Sequence, residues 1–211
     1  MIKIEKTDTY GWEAAVRGMR NPLNSWDKSD SIWHMDFESD YFYAVGKNDL
    51  SLMKRLVKAG SDHSKFMRMI TVTCDITAPL YWWKEFDTYK VGTVANSTST
   101  MHTIHKRDFI IEDFSCERLN KYNLKLIQQI IGNLNIYREI FVLTKDPEAW
   151  IQMIQLLPSS YNQLRTVQLN YAVLRNIYHA RKNHKLKEWH NLCRWIETLP
   201  YSELITEVFD K

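Results

Sequence analysis

Residues 66–90 read FMRMITVTCDITAPLYWWKEFDTYK, and their hydrophobic period changes part-way along. Up to Thr77 every second residue is apolar, which predicts a central β-strand with one apolar face. Pro79 stands at a favourable first position for a helix, so we expect a helix over residues 80–90. The alternating apolar residues of the strand are Ile70, Val72, Cys74 and Ile76.

The segment from residue 78 to residue 102 has two halves of different character. Its first half is rich in large aromatic side chains, which suit a subunit interface or the wall of a ligand pocket. Its second half consists of short polar residues that favour turns, helix caps and polar ligand contacts. We therefore expect a loop over residues 92–105. The aromatic residues are Tyr81, Trp82, Trp83, Phe86 and Tyr89.

The flanking sequence predicts further strands and helices. We expect an early edge strand at residues 1–5 and a short helix at 11–19, followed by irregular structure. Asp49 is expected to cap a helix, and Asp146 to cap another that begins with Pro147. The other predicted helices cover residues 121–142, residues 185–199, a short stretch from Ser202, and a long stretch from Ser159 or Ser160 to about Arg181.

This order of elements predicts an α+β fold. A small, mainly antiparallel sheet should pack against a set of long helices, which predominate in the C-terminal half. The length of 211 residues allows one domain with a sizeable core, and we expect a single domain over residues 1–211.

Composition narrows the possible partners. A formal net charge of +3 is compatible with a small anionic ligand but too low to indicate nucleic-acid binding. The three cysteines are far apart, which predicts reduced thiols in the cytoplasm. We expect no signal peptide and no membrane span, because no apolar run has the required length.

Known catalytic motifs are missing from the sequence. It contains no glycine-rich phosphate loop and no serine-nucleophile elbow. His102 and His105 lack a nearby ligand set, so we expect no metal site. Arg175, His179 and Arg181 lie near the end of a predicted helix. They fit either a solvated face whose cations compensate the helix dipole, or an anion site where arginine holds a phosphate or a pyrimidine carbonyl.

Three ordered blocks resemble the flavin-dependent thymidylate synthase family, over about residues 52–199. In residues 55–79 a helix, a glycine and a corner with His and Ser precede an alternating strand that ends in Ala-Pro. Residues 78–102 stand where the family has an aromatic helix, an Arg-His-Arg triplet and a Ser/Asn-rich segment. The third block, residues 157–189, reads LPSSYNQLRTVQLNYAVLRNIYHARKNHKLKEW. Its family-like residues are Asn170, Asn176 and Arg181.

The resemblance implies a function and a set of site residues. It implies FAD as cofactor, methylenetetrahydrofolate and NADPH as co-substrates, deoxyuridine monophosphate (dUMP) as substrate, and a homotetramer. Arg181 is expected to be catalytic, because the matching family arginine contacts and polarises the nucleotide base. The implied flavin contacts are Ser64, Arg68, Lys90, Asn170 and Asn176. The implied nucleotide contacts are Lys84, Glu85, Thr93, Ser99 and Arg181.

The chain departs from the family pattern within the triplet. Thr88 and Tyr89 replace its Arg and His, and only Lys90 keeps a charge. Each lost charge-assisted contact is worth about 1.5–3 kcal/mol. Three hypotheses therefore remain: an active synthase, a nucleotide- or flavin-binding homologue without that activity or with another substrate, and an assembly protein whose aromatic segment forms an oligomer interface.

Overall fold

A computed structural model describes residues 2–35 and 41–208. Their packing divides the chain into two compact units. The first unit contains residues 2–3, 75–88 and 95–166, and the second contains residues 4–35, 41–74, 89–94 and 167–208. Each is described separately below.

The elements follow the chain in an alternating order. The strands are β1 (Lys3–Tyr10), β2 (Ile32–Met35), β3 (Tyr41–Ala44), β4 (Thr71–Pro79), β5 (Val94–Ser97) and β6 (Asn162–Asn170). The helices are α1 (Trp12–Arg20), α2 (Lys47–Lys58), α3 (Leu80–Phe86), α4 (Thr100–Thr103), α5 (Lys121–Thr144), α6 (Pro147–Leu156), α7 (Tyr171–Arg181), α8 (Lys187–Glu197) and α9 (Glu203–Thr206). Short 3₁₀ turns cover Asn21–Leu23, Trp26–Lys28, Lys65–Arg68 and Ile111–Asp113.

Within the described residues, four strands form an antiparallel sheet in the order β1-β4-β6-β5, and β2 pairs with β3 in a separate antiparallel hairpin. The predicted α+β class is confirmed. β4 is an inner strand, and Val72, Cys74 and Ile76 are buried along one face, as their alternation predicted. β1 lies at the sheet edge and extends to Tyr10, beyond the predicted residues 1–5.

The core of the first unit lies between α5 and α6. Asp146 caps α6 as predicted, since its side chain accepts a hydrogen bond from the Glu148 amide at 2.9 Å. The buried cluster also includes residues from the segment that precedes α5. Its members are Ile104, Phe109, Phe114, Ile127, Ile131, Leu134 and Met153.

Three aromatic residues of α3 are core residues of the first unit. Trp82, Trp83 and Phe86 are at most 1% exposed and pack against one another. Trp83 Nε1 donates to the Gln163 carbonyl at 2.9 Å. The prediction that these rings form an interface or a pocket wall is therefore wrong: the indole and phenyl groups are used to fill the interior.

The predicted helix from residue 160 to 181 is wrong in its first half, which is strand β6. The buried positions Gln163, Val167 and Leu169 follow a period of two, whereas Leu164 is 38% exposed. The alternation of apolar and polar residues is not evident in the sequence, because Gln163 is polar yet buried. Its amide nitrogen donates to the Thr98 carbonyl at 2.8 Å, which satisfies the buried group.

The predicted loop at residues 92–105 also contains regular structure. β5 adds to the edge of the sheet next to β6, and α4 follows it. Ser99 caps α4, because its hydroxyl accepts a hydrogen bond from the His102 amide at 3.2 Å. Short polar residues in this segment thus serve as an edge strand and a helix cap.

A buried ion pair organises the amino-terminal part of the second unit. Asp49 does not cap α2, which begins at Lys47. Its carboxylate instead accepts hydrogen bonds from Arg20 Nε and from the Ser29 and Ser31 hydroxyls, each at 2.6 Å. Arg20 and Asp49 are 5% and 0% exposed, so this pair and its hydrogen bonds fix α1, α2 and residues 29–31 in one arrangement.

In the described part of the chain, no helix is both long enough and apolar enough to cross a bilayer.

Candidate functional site

Helix α7 and its capping residue provide three of the predicted site residues in the second unit: Asn170, Asn176 and Arg181. Asn170 ends β6 and caps α7, since its side-chain oxygen accepts a hydrogen bond from the Val173 amide at 3.1 Å. Asn176 and Arg181 are five residues apart, which places their side chains roughly 140° apart around a helix of 3.6 residues per turn. Because of this angle, the side chains of Asn176 and Arg181 face different groups of residues.

Asn176 faces a cleft of about 500 Å³. This cleft also contains Ser64 and Arg68, so the structure brings together three of the five predicted flavin contacts. An amide, a hydroxyl and a guanidinium in one cleft provide donors for a phosphate-bearing or carbonyl-bearing ligand. The full lining is Val57, Lys58, Gly60, Ser61, Ser64, Met67, Arg68, Ala172, Arg175, Asn176 and His179.

Two basic residues of this cleft are bound to backbone carbonyls. Arg175 Nη1 donates to the Ile205 and Glu207 carbonyls at 2.9 and 3.0 Å, and burial lowers the pKa of Arg175. His179 Nε2 lies 3.0 Å from the Ile205 carbonyl. Burial, followed by the charge of Arg175, lowers the pKa of His179, so this imidazole is neutral at pH 7. The exposed cations of the cleft are Lys58 and Arg68.

Arg181 is held in a defined orientation at the other side of α7. Its Nε donates to the Tyr89 hydroxyl at 2.8 Å. Its guanidinium lies over the Trp189 ring, 4.6 Å from the ring centroid, and 5.6 Å from the centroid of Tyr89. Stacking and a hydrogen bond together restrict the plane of the guanidinium, which favours in-plane recognition of a carbonyl or phosphate.

Tyr89 and Trp189 belong to this site although the sequence analysis did not assign them to it. The sequence could have indicated a site role for Tyr89, because this residue occupies the middle position of the family triplet. Trp189 lies on the predicted buried side of α8 and is fully buried, so its ring was indistinguishable from an ordinary core residue. Its contact with Arg181 becomes visible only when α7 and α8 are placed together.

The segment of residues 89–94 forms a turn beside the start of α7. The Thr93 amide donates to the Lys90 carbonyl at 3.4 Å, and Gly92 has a φ of 78°. Gly92 approaches Asn170 so closely that a Cβ would lie 2.9 Å from its Nδ2. Thr93 Oγ1 is buried and has no hydrogen-bond partner among residues 2–35 and 41–208. Lys90 and Thr93 are thus placed next to α7, with Lys90 exposed.

A Gly92→Ala substitution should destabilise this turn. A left-handed φ costs an L-residue about 1–2 kcal/mol, and the new methyl group would also meet Asn170 Nδ2 and Val173 Cγ2, the latter at 3.2 Å. Urea unfolding should show a loss of that size. Val91→Ala is the control, because this neighbouring side chain is 91% exposed and should change stability by less than about 0.5 kcal/mol. An equal loss in both variants would contradict the assignment.

The remaining predicted residues lie in the first unit. Lys84 is exposed and Glu85 is half-buried, both on α3. The Ser99 hydroxyl accepts the hydrogen bond that caps α4. Within the described residues, no three His, Cys, Asp or Glu side chains form a group that could hold a metal ion.

Solved structures with the same architecture were found, whereas no family model and no curated protein matches the sequence. Thymidylate synthase X (ThyX) from Helicobacter pylori, solved with FAD and dUMP, has a TM-score of 0.69 and 17% identity, covering 98% of this chain and 97% of that chain. A second structure of this flavin-dependent enzyme, also with FAD and dUMP, has a TM-score of 0.68 and 17% identity, covering 97% of each chain.

A third neighbour has a related activity. The UMP/dUMP methylase PolB from Streptomyces cacaoi, bound with 5-Br dUMP, has a TM-score of 0.63 and 13% identity, covering 98% of this chain and 95% of that chain. Agreement over nearly whole chains at such low identity is agreement of fold. The chain therefore has the fold of the flavin-dependent thymidylate synthases.

Proposed function

We propose that this chain methylates a pyrimidine nucleotide with FAD as its cofactor, methylenetetrahydrofolate as carbon donor and NADPH as reductant. The nucleotide is dUMP or UMP, the pyrimidine nucleotides named with the neighbouring enzymes. The observation that carries the proposal is the arrangement on α7. Asn176 joins Ser64 and Arg68 in one cleft, while Arg181 is oriented separately by Tyr89 and Trp189.

The hydrogen-bond donors that line the cleft suit FAD. Ser64 and Asn176 can hydrogen-bond polar atoms of the isoalloxazine or the ribityl chain, and Arg68 with Lys58 can hold the pyrophosphate. When bound, FAD would supply the hydride that completes the methyl group, since the cofactor carries the difficult chemistry. The protein residues then bind, orient and exclude water.

Arg181 is proposed to act on the base of the nucleotide. A guanidinium that donates to a pyrimidine carbonyl draws electron density towards that oxygen and stabilises negative charge that develops there. Tyr89 and Trp189 keep its plane fixed before the nucleotide arrives, so little reorganisation is needed. Lys90 and Thr93 lie on the neighbouring turn and are proposed to bind phosphate oxygens. Thr93 Oγ1 supports this role, because it has no hydrogen-bond partner in the described part of the protein.

The proposal extends to the other residues that the family resemblance implies. Asn170 is assigned to the flavin side, and Lys84, Glu85 and Ser99 to the nucleotide. The resemblance also supports a homotetramer in which each chain of 211 residues acts as one domain, in the cytoplasm. The assembly-protein hypothesis is not favoured, because Trp82, Trp83 and Phe86 of α3 are buried within the chain.

The first experiment is an absorbance spectrum of the purified protein near the flavin bands, with and without added FAD. We expect bound flavin. Asn176→Ala should weaken FAD binding about three- to tenfold, the effect of one hydrogen bond. Asn183→Ala is the matched control, because Asn183 is an exposed asparagine outside the cleft and should leave FAD affinity unchanged.

Methyl transfer is tested separately with labelled methylenetetrahydrofolate, NADPH, FAD and either dUMP or UMP. Label in the 5-methyl group of the product is the expected result. A colourless protein that takes up no FAD would refute the proposal. Binding of FAD and nucleotide without label transfer would refute its catalytic part.

A further inference from the structure

Helix α5 has two apolar faces. One face contributes Ile127, Ile131 and Leu134 to the core of the first unit. A surface helix normally places polar residues on the side opposite its core face. On α5, large apolar side chains occupy that opposite side too, along most of its 24 residues.

The exposed apolar side chains follow a heptad repeat. Seven exposed positions are separated alternately by four and three residues, which is the spacing of a coiled-coil seam. Five of them are large and apolar: Tyr122 (73% exposed), Leu126 (55%), Ile136 (55%), Ile140 (38%) and Leu143 (76%). Gln129 and Asn133 complete the series at its middle. We call these seven residues the α5 seam.

We propose that the α5 seam pairs with the same seam of a second copy of this chain, in antiparallel orientation about a two-fold axis that passes between Gln129 and Asn133. A second copy is the partner that the sequence itself fits, because a two-fold interface requires a self-complementary patch. Two helices with this spacing can interlock their side chains over about three heptads. This inference rests on the self-association included in the proposed function and names the surface that carries it, which lies outside the cleft and outside the Arg181 site.

The antiparallel orientation follows from the sequence of the seam. About this axis, Leu126 of one copy lies opposite Ile136 of the other, and Tyr122 lies opposite Ile140. The polar Gln129 and Asn133 remain near the axis. Apolar residues of the seam therefore meet apolar residues, while Gln129 of one copy faces Asn133 of the other, and the two side-chain amides can hydrogen-bond.

Charges beside the seam favour the same orientation. In the antiparallel pair Lys125 of one copy lies beside Glu139 of the other, and the two-fold axis repeats this opposite-charge contact. In a parallel pair Lys125 would instead lie beside Ile130, and Glu139 beside Thr144. Charged residues at these flanking positions are known to set the orientation of coiled coils.

Gly132 provides an independent observation. A glycine weakens a helix interior, yet this one stands next to the proposed axis in the middle of α5. A Cβ added there would meet no atom within 4 Å, so the first unit does not require a glycine at this place. Without a side chain at position 132, two helix backbones can approach each other more closely at their crossing.

Size exclusion with light scattering measures the mass of the protein in solution and tests whether the α5 seam holds two copies together. Leu126→Asp should give an assembly of at most half the wild-type mass, with an unchanged circular dichroism spectrum. Val142→Asp is the matched control, because Val142 is an exposed apolar residue of α5 outside the seam (39% exposed) and should keep the wild-type mass. A monomeric wild-type chain, or an unchanged mass for Leu126→Asp, would overturn the proposal.

Charge reversal and cross-linking test the orientation without replacing an apolar residue of the core. Lys125→Glu should raise the dissociation constant about three- to tenfold, and the double variant Lys125→Glu with Glu139→Lys should restore it. A mixture of Leu126→Cys and Ile136→Cys chains should form disulfide-linked pairs under a mild oxidant, above the background of the wild-type cysteines. Cross-linking of Leu126→Cys to itself, or no rescue by the double variant, would overturn the antiparallel arrangement.

Discussion

Replacing Asp49 with alanine should lower the free energy of unfolding by about 3–5 kcal/mol, because it leaves a buried arginine without its counter-charge. Arg20 is 5% exposed, and its remaining hydrogen bonds go to neutral groups: the Ser25 and Lys28 carbonyls at 3.0 and 2.9 Å, and the Ser25 hydroxyl at 3.5 Å. Urea unfolding followed by tryptophan fluorescence measures the loss. Asp27→Ala is the control, since Asp27 is exposed in the same region, and its loss should stay below about 1 kcal/mol.

The same pair predicts a dependence of stability on pH. Burial raises the pKa of Asp49, but hydrogen bonds from Ser29, Ser31 and Arg20, together with the charge of Arg20, outweigh burial and bring the pKa below its ordinary value of 3.8. A carboxyl group with a lowered pKa stabilises the fold above its ordinary pKa, and this contribution disappears as pH falls through the lowered value. Wild-type stability should therefore fall more steeply below about pH 4 than that of Asp49→Ala. Parallel curves for both proteins would contradict this account.

Replacing Arg181 with alanine should weaken binding of dUMP or UMP by about 10- to 150-fold, the equivalent of one charge-assisted contact. Arg181→Lys should recover little of this loss, because an ammonium group lacks the planar fork that stacks on Trp189. Titration calorimetry with each nucleotide gives the affinities. FAD binding to the Asn176 cleft should be unaffected, which separates a local effect from misfolding.

Two further variants refine the Arg181 experiment. Tyr89→Phe removes only the hydroxyl that accepts from Arg181 Nε, so it should cost about two- to fivefold in nucleotide affinity. Arg194→Ala is the matched control, because Arg194 is an exposed arginine of α8 whose guanidinium donates to Asn191. A loss for Arg194→Ala as large as that for Arg181→Ala would show that overall charge, rather than a specific site, determines binding.

The elements predicted correctly from the sequence are those with a long, uninterrupted period. β4 alternates between buried and half-buried residues over most of its length, and α5 repeats its core residues at helical spacing through several turns. Asp146 before Pro147 is a local capping signal and was equally readable. Such patterns depend on neighbouring residues, so one sequence is sufficient to detect them.

The errors arise where distant contacts decide the structure. Gln163 occupies a buried strand position that only its hydrogen bond to Thr98 makes tolerable, so β6 resembled a helix. Every residue of β2 is exposed, which removes the alternation that would have revealed the hairpin. Arg20 and Asp49 are 29 residues apart, and no local pattern links them. Asp49 was therefore interpreted as a cap.

The candidate site, like the fold, could be predicted from the sequence only in part. The family resemblance singled out Ser64, Arg68 and Asn176, which the structure places in one cleft. The surroundings of Arg181 were not predictable, because Trp189 serves as a core residue and as a stacking surface at once. A large buried aromatic residue gives the same sequence signal in both roles.

The hydrogen bond between Tyr89 and Arg181 has a consequence for the order of folding. It joins residues 92 positions apart, and its loop-closure entropy must be overcome before the contact can contribute. The hairpin of α5 and α6 lies within that interval and closes through nearby contacts, so it can form first. During synthesis Tyr89 emerges well before α7 and α8 exist. We therefore expect the oriented guanidinium to form late in folding, and the proposed nucleotide binding to require a chain that has completed folding.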